Sequence, residues 1–140
     1  SIKYICIHYT ANDGDLALSN AKYFKNNVIY ASAHYFVDSD KIWQSVPDDY
    51  VGYSVGDAQK NTNIGGARYY GICTNANSIS IELTDDKKDG TIYPSQATID
   101  LALELTRELM AKYNVPLENV IRHFDVSGKI CPAYWAGSEE

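Results

Sequence analysis

The sequence predicts an α/β domain, a central mixed β-sheet flanked by helices, and three observations carry that reading. Strand-like segments of period two alternate with helix-like segments of period near 3.6. The 140 residues suit one domain, since a chain of that size buries roughly 65–70% of its unfolded surface. The composition, 45% hydrophobic and 21% charged with four prolines, is that of a globular chain. No internal repeat divides it, so residues 1–140 are expected to form a single domain.

Lys3 to Tyr9, KYICIHY, is dense in aromatic and β-branched residues and predicts a buried strand, closed by the loop signal Thr10-Ala11-Asn12-Asp13-Gly14. His8 therefore falls at a strand's carboxyl end. Asp15 to Asn26 spaces Leu16, Ala17, Ala21 and Phe24 at near-helical intervals, with Asn26-Asn27 as the stop. Ser32 to Asp38 and Lys41 to Val46 flank the turn Asp38-Ser39-Asp40 as a hairpin. Pro47 to Ala76 is irregular, rich in Gly and Asn, and longer than structural connections usually are, which points to function. Asn77 to Leu83 alternates, placing Ser78, Ser80 and Glu82 on one face and Ile79, Ile81 and Leu83 on the other. Pro94 opens the strongest helix, with Ile99, Ala102, Leu103, Thr106, Leu109, Met110 and Tyr113 on one face, a Glu108–Lys112 pair on the other, and Asn114 with Pro116 as its end. Val120 to His123 reads as a short strand and Phe124 to Trp135 as a loop.

Twelve Lys and Arg against eighteen Asp and Glu give a charge of -6 with no basic run, which argues against nucleic acid or an anionic membrane as partner. The longest nearly apolar stretch, Val28 to Val37, is interrupted by Ser32 and His34 and has about half the roughly 20 residues a bilayer crossing needs. Twelve tyrosines offer flat faces suited to glycans, although sheet and core packing accounts for most of them. Cys6, Cys73 and Cys131 show no CxxC spacing and predict no disulfide framework. No oligomer signature is visible, so a monomer is expected. Ser1 without an initiator Met, and the closing Gly137-Ser138-Glu139-Glu140, read as trimmed or frayed ends.

The chain has only three histidines, and each lies in or at the end of a predicted strand, where a single histidine is more often a hydrogen-bonded core residue. Cys131 alters that balance. Zinc takes imidazole and thiolate in tetrahedral geometry, and catalytic zinc keeps three protein ligands. His8, His123 and Cys131 fit that count, although the separation of His123 and Cys131 is not a zinc-finger spacing. A metal-free thiol hydrolase using Cys131 and His123 is the competing chemistry.

The strings Tyr4-Ile5-Cys6-Ile7-His8-Tyr9-Thr10, Ser32-Ala33-His34-Tyr35, Ser80-Ile81-Glu82-Leu83 and Arg122-His123-Phe124-Asp125, followed by Ser127-Gly128-Lys129-Ile130-Cys131-Pro132, resemble the type 2 N-acetylmuramoyl-L-alanine amidases. That family includes phage endolysins and bacterial autolysins and shares its fold with peptidoglycan recognition proteins. The resemblance spans nearly the whole chain in order and implies a single catalytic amidase domain over residues 1–140. It implies Zn²⁺ as cofactor, held by His8, His123 and Cys131, with Glu82 as general base and Lys129 as the catalytic lysine that stabilises an oxyanion. The implied substrate is bacterial peptidoglycan, cut between the lactyl group of N-acetylmuramic acid and L-alanine of the stem peptide.

One departure matters: Ala33 stands where phage lysozymes of the family place a catalytic tyrosine, which moves the base role to Glu82. His34 is expected beside the site or against substrate without being a ligand. Thr10 shares the face of His8, and Trp43, Tyr53 and Tyr70 are candidate groove aromatics. Cys6 is expected to fill core space, and Cys73 carries no role. A protein of this kind acts on the cell wall after secretion or release at phage-induced lysis, with any wall-binding domain outside residues 1–140. The rival reading is a peptidoglycan-binding module without catalysis, which in this family usually replaces the ligand cysteine; Cys131 argues against it.

Overall fold

Apolar alternation builds five strands that the computed structural model, describing residues 1–26, 31–56 and 66–136, joins in one mixed sheet. β1 (Tyr4–Tyr9), β2 (Tyr35–Val37), β3 (Ile42–Gln44), β4 (Ser78–Leu83) and β5 (Val120–Arg122) lie in the order β3-β2-β4-β1-β5. The hairpin pair β2–β3 is antiparallel and the other pairs are parallel. Three helices flank the sheet: α1 (Ala17–Asn26), α2 (Gln96–Tyr113) and the short α3 (His123–Ser127). The expected α/β class and mixed sheet are both present. The helix stop at Asn27, the Val28–Tyr30 part of the apolar stretch, residues 57–65 of the irregular stretch and the closing Gly137-Ser138-Glu139-Glu140 lie outside the described residues.

The two faces of the sheet bury different clusters. Ile5, Val37, Ile79, Ile81 and Leu83 pack against Ala102, Leu105 and Leu109 of α2, each large aliphatic side chain contributing about 1.5–3 kcal/mol when fully buried. Cys6, Val55, Cys73, Ile121 and Val126 form a second cluster, and Ala17, Ala33 and Phe36 a third beneath α1. No disulfide joins the three cysteines. Cys6 is the core filler expected, and Cys73 proves to be its neighbour in the same cluster. No helix among the described residues is long and apolar enough to cross a membrane.

Several boundaries differ from the sequence reading for identifiable reasons. α1 starts at Ala17, not Asp15, because the Asp15 carboxylate accepts from Asn20 Nδ2 and Asp85 N, while Ala17 N donates to Asp38 Oδ2 at 3.0 Å. α2 starts after Ser95, whose side chain accepts from Thr98 N, so Pro94 stands outside the helix. Its inward face runs through Thr98, Ala102, Leu105, Thr106 and Leu109; Leu103, assigned inward, is 46% exposed. Lys112, expected to pair with Glu108, has its ammonium 3.4 Å from Asp48 Oδ2. The helix ends as expected at Asn114, which takes the left-handed conformation at φ 53° and donates its N–H to Met110 O. The largest correction is at β5, which stops at Arg122: the expected loop opens instead with α3, closed by Gly128 at φ 81°.

Candidate active site

Parallel pairing of β1 with β4 sets His8 opposite Glu82 at the carboxyl end of the sheet, where open α/β sheets place their ligands. On the other side of β1, β5 delivers the chain into α3, so His123 opens a helix instead of ending a strand. The Arg122-His123-Phe124-Asp125 string explains this junction physically. Asp125 accepts from Arg122 N at 2.8 Å, from Nε at 2.9 Å and from Nη2 at 2.7 Å, a charge-assisted lock over a single turn. Arg122 also donates through Nη1 to Trp135 O, tying the site's outgoing loop to the strand end. Within that loop, Phe124 N donates to Cys131 O at 3.0 Å and Cys131 N to Lys129 O at 2.8 Å.

His8, His123 and Cys131, all buried, bring their ligand-type atoms within 4.8 Å of one another. The two imidazole centroids are 4.7 Å apart and Cys131 Sγ lies 3.7 Å from His8 Nδ1. Tetrahedral zinc at ordinary bond lengths separates its nitrogen and sulfur ligands by roughly 3.3–3.6 Å, close to the 3.7 Å between Cys131 Sγ and His8 Nδ1. His8 Nε2 is sealed from solvent with no hydrogen-bond partner. Burial, with His123 and Lys129 adding to it, holds the His8 imidazole well below its ordinary pKa, favouring the neutral form a metal requires. The donor set fits zinc.

Glu82 is half-buried, and its Oε2 has no hydrogen-bond partner. Burial raises its pKa to about 8, with Lys129 opposing and Asp15 reinforcing the rise. Lys129 lines the same cleft, as does Thr10, whose Oγ1 is buried and unpartnered. Sequence reasoning passed over Tyr134. Its side chain is half-buried, its hydroxyl is sealed from solvent without a hydrogen-bond partner, and its ring packs on Tyr9 of the strand that carries His8, at 5.6 Å between centroids. No spacing signal could have found it, because its position depends on the fold of the loop that carries it.

Above this floor lies an open cleft of about 900 Å³, walled by Tyr9, Asn12, Asp15, Tyr23, Tyr53 and Asn75 among others. Tyr53, 62% exposed, takes the expected position on it. Trp43 and Tyr70 do not line it: Trp43 packs against the Ala17–Ala33–Phe36 cluster. His34 also departs from expectation. It is fully buried, its Nδ1 accepts from Ser80 N at 3.1 Å, and its Nε2 donates to Tyr50 O at 2.8 Å, so both nitrogens serve the scaffold. Gly52 permits this, since a Cβ there would come within 2.7 Å of the ring. Ala33 is 1% exposed in the third cluster, with its side chain turned into the core rather than toward the cleft.

Fold and site together define an α/β domain with a candidate three-ligand metal centre on the floor of an open cleft. The chain belongs to the N-acetylmuramoyl-L-alanine amidase family, whose model matches residues 1–134. It is 34% identical over 145 residues to the N-acetylmuramoyl-L-alanine amidase BlyA of Bacillus subtilis, covering 99% of this chain and 38% of that protein. Among solved structures, PlyL superposes with a TM-score of 0.76 at 31% identity, over 95% of this chain and 74% of the other. The Escherichia coli amidase AmiD, solved with the substrate anhydro-N-acetylmuramic acid-L-Ala-D-gamma-Glu-L-Lys, superposes at 0.61 with 28% identity, over 89% and 49% of the two chains. The chain thus spans well under half the length of the curated relative BlyA.

Proposed function

We propose that this domain is a zinc-dependent N-acetylmuramoyl-L-alanine amidase acting on the bacterial cell wall, cutting peptidoglycan between the lactyl group and L-alanine. The observation that carries the reading is the convergence of His8, His123 and Cys131 beneath a cleft that also holds Glu82. Those three residues would hold the ion, whose chemistry at such a site is to acidify water and polarise a carbonyl. Glu82 accepts a proton from the attacking water at its unpartnered Oε2 and returns it to the leaving amine. Lys129 contributes a cation for the negative charge that develops on the carbonyl oxygen. Tyr53 and Thr10, which line the cleft, are assigned to the substrate, and the likeness to AmiD, solved with a muropeptide substrate, supports a substrate of that class.

The test is product analysis on purified peptidoglycan. New L-alanine amino termini without new reducing sugar ends, lost on chelation and restored by Zn²⁺, are expected. Retained binding of muropeptides with no release would instead establish a recognition module.

A further inference from the structure

A second cluster of metal-ligating groups lies outside this site. Asp13, in the loop after β1, and Asp85 and Asp89, in the loop after β4, bring carboxylate oxygens within 4.8 Å of one another. Asp85 is only 2% exposed, and its Oδ2 has no hydrogen-bond partner even though it is sealed from solvent. Its other oxygen accepts from the backbone N–H of Lys87, at 3.1 Å. Asp85 thus brings an oxygen within 4.8 Å of two further carboxylates and carries a sealed oxygen without a donor, an arrangement that is costly unless a cation joins it. We propose that Asp13, Asp85 and Asp89 form a binding site for a hard divalent cation, Ca²⁺ by preference.

The donor chemistry selects that class of ion. Three carboxylates with no imidazole or thiolate offer an all-oxygen set, which suits Ca²⁺ or Mg²⁺ and discriminates against zinc. Both loops are irregular and one of the three groups is exposed, and such a site meets the flexible demands of Ca²⁺ more readily than the strict octahedron of Mg²⁺. The loops are already paired through carboxylates: Asp13 accepts from Asp89 N at 3.0 Å and from Gly90 N at 2.9 Å. Burial raises the pKa of Asp85 from its ordinary value, with the Lys87 N–H opposing and the charges of Asp89, Asp13 and Asp86 reinforcing the rise, and a bound cation would offset the repulsion among these carboxylates.

The position gives the ion a purpose. One loop leaves the strand that carries His8 and contributes Asn12 and Asp15 to the cleft wall; the other leaves the strand that carries Glu82. A cation here would clamp the two loops that continue the site's two central strands.

Thermal unfolding and calorimetry of the zinc-loaded protein with CaCl₂, MgCl₂, or NaCl at matched ionic strength test the proposal. CaCl₂ at 10 mM is expected to raise the Tm by about 3–6 °C, as for a site with a Kd near or below 1 mM. MgCl₂ should have less effect and NaCl none. Asp89→Asn, at an exposed position, should fold normally and lose at least tenfold in Ca²⁺ affinity; Asp85→Asn should abolish the shift and raise stability without the ion. Equal Tm in CaCl₂ and NaCl, or an undiminished calcium response in Asp89→Asn, would overturn it.

Discussion

Glu82 is the residue on which chemistry and stability pull in opposite directions. The proton-transfer role proposed for it would come at the cost of burial without a partner for Oε2. Glu82→Gln should lower kcat by about 10²–10⁴-fold while leaving bound zinc unchanged, measured by release of L-alanine termini alongside metal content. The same substitution should stabilise the metal-free fold. Below the ordinary carboxylate range both folded and unfolded chains hold the proton, and the group contributes nothing. Between that range and about 8 the unfolded chain has released its proton and the folded chain has not, so stability falls as pH rises. Denaturant unfolding of chelated protein should therefore show Glu82→Gln more stable than wild type by about 2–4 kcal/mol at pH 8.5, and equal to it at pH 4. Equal stability at both values would mean that the carboxylate is not held in this environment.

At the scale of elements, the site depends on how β5 passes into α3. The Arg122–Asp125 lock sets the direction in which His123 leaves the sheet. Asp125→Ala removes the acceptor for three donors and should cost about 2–3 kcal/mol. It should also weaken zinc binding about 10–100-fold, read by competition with a chromogenic chelator. A stability loss with unchanged zinc affinity would show the junction to be scaffold only. This element was hidden in the sequence because five residues are too few for a periodic signal, and Arg122, whose side chain can only donate, as it does to Asp125, is not one of the residue types that mark a helix start. The long helix was legible because its repeat extends over five turns, yet its inward face was misjudged at Leu103 and Leu105, where neighbouring apolar residues leave the choice to tertiary packing. Ile81 shows the opposite case: strict alternation placed it on one face with Ile79 and Leu83, the face the structure packs against α2, and Ile81→Ala should cost about 2–5 kcal/mol by chemical denaturation.

Across the whole molecule, the residues that the sequence motifs single out, His8, His123 and Cys131, come together in one buried cluster beneath the cleft that Glu82 also lines. The walls of the cleft were less legible. His34 resembles a site residue by chemistry, and only the backbone partners supplied by Ser80 and Tyr50 show it to be structural. Trp43 makes the same point: it packs against Phe36 and its neighbours instead of lining the cleft, because which aromatic faces the site is decided by long-range packing, not by local pattern. The central claim is that one zinc ion, held by His8, His123 and Cys131, is required for amide hydrolysis in the cleft. Zinc content per chain and turbidity loss of purified cell walls, measured on wild type and Cys131→Ala, test it most directly. Near one zinc per wild-type chain, lost in the variant together with lysis, is the expected result; lysis by a zinc-free Cys131→Ala protein would contradict it.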